Sequence, residues 1–445
     1  MSASERTRAV LWFRRDLRLA DNPALLEALD SADEVVPLFV LDPRLWRPAG
    51  RPRQAYLRAS FESLRDRIGG LVIRRGDPVE VVPTVARQAA ARSVHVAADF
   101  GPYGSMRDAA VERVLADDDV PLVRTGSPYA VAPGRVVNKS GDGYLVYTPF
   151  SKAWREHGWR QPPRAPGLAH WHTGLRSDDL YEVSLPEGIV LPAAGEEAAL
   201  RQWRAFVADK LTAYPDRRDR PDLDATSHMS VHLKWGEIHP RTMLADIEDA
   251  DAPRAAVATF RNELAWREFY ADVLAKRPET AREYYKAEFA RMTYAPPNDL
   301  FDAWRQGRTG YPIVDAGMRQ LRAEGWMHNR VRMIVASFLV KDLHIEWQHG
   351  ARHFMQWLVD GDLASNQHGW QWTAGCGTDA APYFRVFNPV EQGKKFDPDG
   401  DYIRRYVPEL RDVRTPDIHQ PRNPIVDHAE ERRVALARYD EVRNA

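Results

Sequence analysis

The chain has 445 residues, with 62 Lys plus Arg against 63 Asp plus Glu and a formal net charge of -1. That length accommodates two domains with substantial cores, and the balanced charge excludes a uniformly basic nucleic-acid binder while leaving room for a local basic groove. The single cysteine, Cys376, excludes an internal disulfide, an all-thiolate iron–sulfur cluster and a multi-thiolate zinc site. The opening MSASERTRAV has no apolar signal region, and no run is long enough to span a bilayer, so no membrane association and a cytoplasmic location are expected.

The first part of the chain alternates short apolar runs with helical patterns. Strands are expected at 9–13, 35–41, 71–74, 94–97 and 122–124. Helices are expected near 23–32, 53–68, 78–91 and 104–115. Asp77-Pro78 is a strong helix start, a capping oxygen followed by proline in the first turn. This alternation implies a parallel, doubly wound sheet covered on both faces. No GxGxxG follows the first strand, so a dinucleotide fingerprint is not supported. From about 127 to 192 the chain is rich in proline, glycine and aromatic residues and reads as a connector. Beyond it strand signals vanish, and helices are expected at 255–276, 313–324, 329–343 and 352–358, with a charged surface helix at 429–445. The expected organisation is a Rossmann-like α/β domain at 1–130, a connector at 131–195 and an all-α domain at 196–445.

Three segments carry chemistry. The stretch WQHGARHFMQWLVDGDLASNQHGWQW packs Asp360, Asp362 and Asn366 among Trp347, Trp370 and Trp372. Asp362 and Asn366 share a helix face at i,i+4. Carboxylate and amide groups beside indoles can hold a polar heterocycle, although a packed core with polar caps accounts for the same residues. Asp224-Ala225-Thr226-Ser227-His228-Met229-Ser230 places hydroxyls and N–H groups before a helical run, which makes either an anion site or an ordinary cap. Glu263, Trp266 and Arg267 lie at i, i+3 and i+4 on one face, and Glu263 with Arg267 reads alone as a solvated ion pair. His228/His232 and His349/His353 also sit at i,i+4. Neither pair carries the HExxH glutamate, so both read as surface or cap histidines and no metal is expected.

LWFRRDLRLADNPAL, RNELAWREFY, GYPIVDAGMRQLRAEGWMHNRVRMIVASFLVKDL, DGD at 360–362 and GTDAAPYFRVFNPVEQGKKFDPDGDYIR together resemble the cryptochrome/photolyase family, in family order over almost the whole chain. The resemblance is greatest to class I enzymes that repair cyclobutane pyrimidine dimers. It implies FAD, active as fully reduced FADH-, in the helical domain. Tyr214, Thr226, Ser227, His228, Met229 and Ser230 would bind its phosphate side, His228 standing where the family usually has arginine or glycine. Arg332, Asp360, Gly361 and Asp362 would line the ring, with Asn366 facing N5. Plant cryptochromes carry aspartate at that position, so Asn366 favours repair over signalling.

The resemblance further implies that Trp266 and Trp372 wall a flipped-out dimer, that Glu263 hydrogen-bonds its base edge, and that Asn329 and Met333 pack on it. Arg267 would support the pocket. Arg218, Arg330 and Gln392 would contact UV-damaged DNA, with Arg217, Lys394 and Lys395 as further candidates. Trp370 and Trp347 would relay electrons for flavin photoreduction. The distal family position falls on Tyr294, with Trp304 as the other outlet. The segment 98–104 lacks the glutamate of the methenyltetrahydrofolate antenna type and is more similar to the 8-hydroxy-5-deazaflavin type, with Asp99 and Lys234 as contacts. Read without the family, Lys234 is an exposed helix lysine. The expected protein is a monomer that repairs DNA without sequence preference. A blue-light photoreceptor is the alternative, disfavoured by the short stretch beyond the core.

Overall fold

The computed structural model describes residues 6–163, 166–167, 169–379 and 384–444. Five short, mostly buried strands form one parallel sheet: β1 (Arg8–Phe13), β2 (Glu34–Leu41), β3 (Val72–Arg75), β4 (Ala91–Val96) and β5 (Leu122–Arg124). Their order is β3-β2-β1-β4-β5, so the chain reverses direction across the sheet beside β1. The alternation of strand and helix in the sequence requires this arrangement, since parallel neighbours need a crossover. Asp77 caps its helix as expected, its side chain accepting from Val79 N.

The connector carries regular structure of its own. It contains an amphipathic helix, Tyr147–His157, that buries Phe150, Ser151 and Trp154. Further on, Val35 N donates to His170 O and His172 N to Val35 O, so the returning chain extends the sheet at the start of β2. Glu268 anchors the connector's first part by accepting from Val131 N and from the Trp154 indole at 3.0 and 2.6 Å.

The rest is helical. Arg254–Lys276, Asn329–Lys341 and Leu363–Ala374 surround a large cavity, and the helix expected at 352–358 begins a full turn earlier as Trp347–Trp357. The terminal helix spans His428–Asn444. The two domains are docked through buried polar contacts at the carboxyl end of β1. Leu17 N donates to Trp235 O, Arg18 to Gly236 O, and Arg15 pairs with Asp362 at 2.5 Å. Nearby, Tyr56 and Ser60 both donate to fully buried Glu237. Among the described residues no helix is long and apolar enough to cross a membrane, and no group of three or more His, Cys, Asp or Glu is arranged to hold a metal ion.

Candidate active site

A cavity of about 510 Å³ opens among the helices of the second domain, within the size range of cofactor sites. The turn 358–362 forms one part of its wall. Asp360 is 5% exposed and pairs through Oδ2 with Arg332 at 2.8 Å, while its Oδ1 is buried without a partner among the described residues. Arg332 is itself aimed by a bond from Nε to Met327 O. A Cβ at Gly361 would come within 2.3 Å of Arg53 Nη1, so any larger residue there would displace that guanidinium. Asp362 caps the helix Leu363–Ala374, its Oδ1 accepting from Ser365 N and its Oδ2 from Arg15. Burial opposes its charge, but Arg15, Lys234 and Arg267 hold its carboxyl well below the usual range.

One helical turn on, Asn366 lines the same cavity. Its amide nitrogen donates to Ala351 O and Gln367 Oε1, so the group left for the cavity is its carbonyl oxygen. Lys234 is not an exposed helix lysine. It lies in the cavity wall, where burial and Arg15 pull its ammonium down to about 7. The dominant cost is desolvation of the charged form.

Across the cavity lie Tyr214, Glu263, Trp266, Arg267, Asn329, Arg330, Met333 and Trp372. The ion pair read from the i,i+4 spacing does not form. Glu263 pairs with Arg218 at 2.6 Å instead, and Arg267 donates to the carbonyls of Pro128 and Leu233. Burial pushes the Glu263 carboxyl up, against the pull of Arg218. Trp266 is stacked on Tyr147 of the connector helix, with ring centroids 3.7 Å apart and planes 6° from parallel. Trp372 is oriented by an indole bond to Asp379 O. A second cavity of about 400 Å³ adjoins, sharing Arg330, Met333 and Trp372 and reaching Asp219, Gln392 and Lys395. Arg330 pairs there with Asp219 at 3.0 Å, and Lys394 is engaged by Glu391.

Two residues expected on the cofactor's phosphate side stand elsewhere. Ser227, Met229 and Ser230 reach the main cavity, but Thr226 and His228 do not line it. His228, at φ +53°, packs its ring on Trp326 at 4.2 Å and pairs with Asp224. The helix that follows has only six residues, Ser230–Trp235. His232 and His353 are buried, not surface residues, and His232 pairs with Glu237. Asp99 lies outside the cavity in an interdomain charge cluster, paired with Arg107 at 3.2 Å. Arg217 is exposed, unlike its neighbour Arg218. Trp370 lines the cavity, whereas Trp347 is fully buried behind it and Tyr294 is part-buried beyond.

Arg15, Tyr147 and Trp326 were not singled out from the sequence. Arg15 had a usable signal, an arginine pair at the carboxyl end of the central strand, where open α/β sheets place their sites. Trp326 bonds Ser230 Oγ through its indole and faces Arg332, tying the hydroxyl-rich loop to the ion-paired wall.

A buried acceptor without a partner, a carbonyl oxygen and an arginine-braced carboxylate around one cavity suit the polar edge of a heterocycle between apolar faces. Fold and cavity together define an α/β domain joined to a helical domain that carries a cofactor-sized site. Residues 9–167 match the family model described as DNA photolyase, and residues 260–441 match the FAD binding domain of DNA photolyase. The deoxyribodipyrimidine photo-lyase of Streptomyces griseus is 41% identical, with 98% of this chain and 99% of the relative covered. The crystal structure of a bacterial class III photolyase from Agrobacterium tumefaciens superposes with a TM-score of 0.93 at 36% identity, covering 100% of both chains. An archaeal photolyase from Sulfolobus tokodaii, solved with two FAD molecules, superposes with a TM-score of 0.85 at 29% identity, covering 98% of this chain and 100% of that one. The chain belongs to the DNA photolyase family.

Proposed function

We infer that the protein is a deoxyribodipyrimidine photo-lyase, a carbon–carbon lyase that uses blue light to split cyclobutane pyrimidine dimers in DNA. The reading is carried by one observation: the Arg332–Asp360 pair, Asn366, Glu263 and the indoles of Trp266 and Trp372 all line the same cavity. Reduced FAD, which Arg332, Asp360, Asp362 and Asn366 would hold there, would supply the light-driven electron chemistry that splits the dimer.

The protein's part is position and electrostatics. Tyr214, Ser227, Met229 and Ser230 form the wall suited to the diphosphate side, with Thr226 and His228 behind it. Asp360, with one free oxygen, and Asp362 would accept from ring N–H groups, and Arg332 holds Asp360 in place through its Oδ2. The carbonyl oxygen of Asn366 is an acceptor, which suits a protonated ring nitrogen and so the reduced cofactor. Trp266, braced by Tyr147, and Trp372 would enclose the flipped dimer. Extrusion costs a few kcal/mol, least for a damaged base, and stacking returns about 1–3 kcal/mol per base. Glu263 would hydrogen-bond the base edge, with Asn329 and Met333 against the rings. Arg218, Arg330 and Gln392 would meet the DNA backbone, which positions the duplex without reading its sequence. Trp370 and Trp347 would carry electrons inward when the cofactor is oxidised.

For the antenna we favour 8-hydroxy-5-deazaflavin over methenyltetrahydrofolate. The segment 98–104 lacks the folate-type glutamate, and Asp99 and Lys234 contribute to one interdomain charge cluster. A second flavin is the alternative, in view of the two-FAD archaeal relative. The enzyme would act as a monomer in the cytoplasm.

The test is recovery of thymine absorbance when the reduced protein meets a dimer-containing single-stranded oligonucleotide, with and without blue light. Light-dependent recovery is expected. No recovery despite bound, reduced FAD would overturn the reading in favour of a photoreceptor or another lesion.

A further inference from the structure

An electron relay into the cavity needs an outlet for the hole it leaves behind. Gly350 sits against the Trp370 ring so closely that a Cβ would come within 2.1 Å of it, and Trp347 begins the same helix one turn earlier. Neither indole N–H has an acceptor among the described residues. Neither indole is therefore hydrogen-bonded to a protein base among the described residues.

The ring in contact with Trp347 is Tyr284, edge-on at 6.1 Å and 87°. No ring contact joins Trp347 to Tyr294 among the described residues. Tyr294 meets the relay through Tyr284, stacked on it at 6.4 Å and 22°. The Tyr284 hydroxyl donates to Glu346 Oε1 at 2.9 Å. Glu346 is the N-cap residue of the Trp347 helix, so backbone continuity fixes the base beside the relay. Tyr284 is 6% exposed, whereas Tyr294 is part-buried and nearer to solvent.

The competing outlet lacks such a base. Trp304 is 6.1 Å from Trp370, but its N–H donates to the backbone carbonyl of Val335, which takes up no proton. Beyond it, burial holds His353 down to about 3, a poor base, and the Arg322 guanidinium lies 5.7 Å from the Trp357 ring, where positive charge opposes a radical cation.

We propose that Tyr284 is the redox group that follows Trp347, losing its phenolic proton to Glu346 as it is oxidised, and that Tyr294 passes the hole to a thiol in solution. The proposal rests on the Trp370–Trp347 relay inferred above. One electron leaves Tyr284 for the Trp347 radical cation, and one proton moves from Tyr284 Oη to the Glu346 carboxylate. Electron transfer from Tyr294 returns that proton to Tyr284. Tyr294 releases its phenolic proton to water as it is oxidised, and a thiol restores it by giving up one electron together with its S–H proton, two thiyl radicals combining as a disulfide.

The experiment follows radicals by transient absorption and by electron paramagnetic resonance in FAD-loaded, oxidised protein with ring-deuterated tyrosine. A tyrosyl signal is expected in the parent protein and is lost in Tyr284→Phe, leaving only a tryptophan radical. Glu346→Gln keeps the shape of the site and should slow tyrosyl formation by roughly a hundredfold, the low end of what a positioned base contributes. An unchanged tyrosyl rate in both variants, with photoreduction still abolished by Trp347→Phe, overturns the role of Tyr284 alone. Photoreduction that survives Trp347→Phe overturns the relay reading and this proposal with it. FAD stoichiometry and melting temperature identify any variant that fails to fold, and Glu346→Gln then decides.

Discussion

Glu263 shows how a side chain's partner sets its use. Helical spacing points it at Arg267, yet it turns to Arg218 from another element, and Arg267 is spent on two backbone carbonyls. Arg218 thus aligns the carboxyl within the cavity wall instead of stabilising a helix surface. Glu263→Gln should weaken binding of dimer-containing DNA by about tenfold to a hundredfold, the loss expected for a hydrogen bond to a charged group at about 1.5–3 kcal/mol. Binding of undamaged DNA should hardly change. Competition titrations with damaged and undamaged oligonucleotides measure the difference, and equal losses on both would contradict a lesion-facing role.

At the scale of elements, helix starts aim the site. His328 caps Asn329–Lys341 through Nδ1, accepting from Arg330 N at 3.1 Å. That helix carries Asn329, Arg330, Arg332 and Met333, all in the cavity wall. Asp362 caps Leu363–Ala374 and also binds Arg15 across the domain boundary. An asparagine at 362 can still cap but cannot form the ion pair. Asp362→Asn and Arg15→Ala should each loosen FAD binding, and the double variant should lose less than the sum of the two, because both remove the same ion pair. Equilibrium dialysis of FAD across the four proteins checks this; additive losses would mean that the two residues act separately.

The whole molecule carries an acid sensitivity from histidines buried in both domains. Burial holds His95, His328 and His368 down to about 4 and His353 to about 3, against 6.5 when solvated. Because these folded values are depressed, the unfolded chain binds more protons between about 4 and 6.5, and stability rises with pH across that window. The contribution is complete above 6.5 and is lost as pH falls toward the folded values, at about 1.4 kcal/mol per pH unit for each group. The melting temperature should therefore drop between about pH 7 and pH 5. His95→Gln should flatten the dependence, since His95 is 1% exposed and bonded, among the described residues, to the Ser93 and Ser31 hydroxyls alone. Calorimetric melts at both pH values test it, and an unchanged slope would remove His95 from the set.

Local pattern determined the five strands, the parallel sheet, the helical second half and the Asp77 start, because period and capping are properties of neighbouring residues. The family motifs likewise brought Arg332, Asp360 and Asn366 to one cavity. Tertiary structure alone decided the contacts that join distant segments: Arg15 with Asp362, Tyr147 with Trp266, Arg218 with Glu263, and Tyr284 with Trp347. It also decided that His232 and His353 leave the solvent, that Lys234 stands in the cavity wall, and that proline- and glycine-rich connector sequence still forms a helix when Phe150 and Trp154 have a core to enter. Burial and pairing depend on which surfaces the folded domains bring together, and spacing along one segment carries no information about the other.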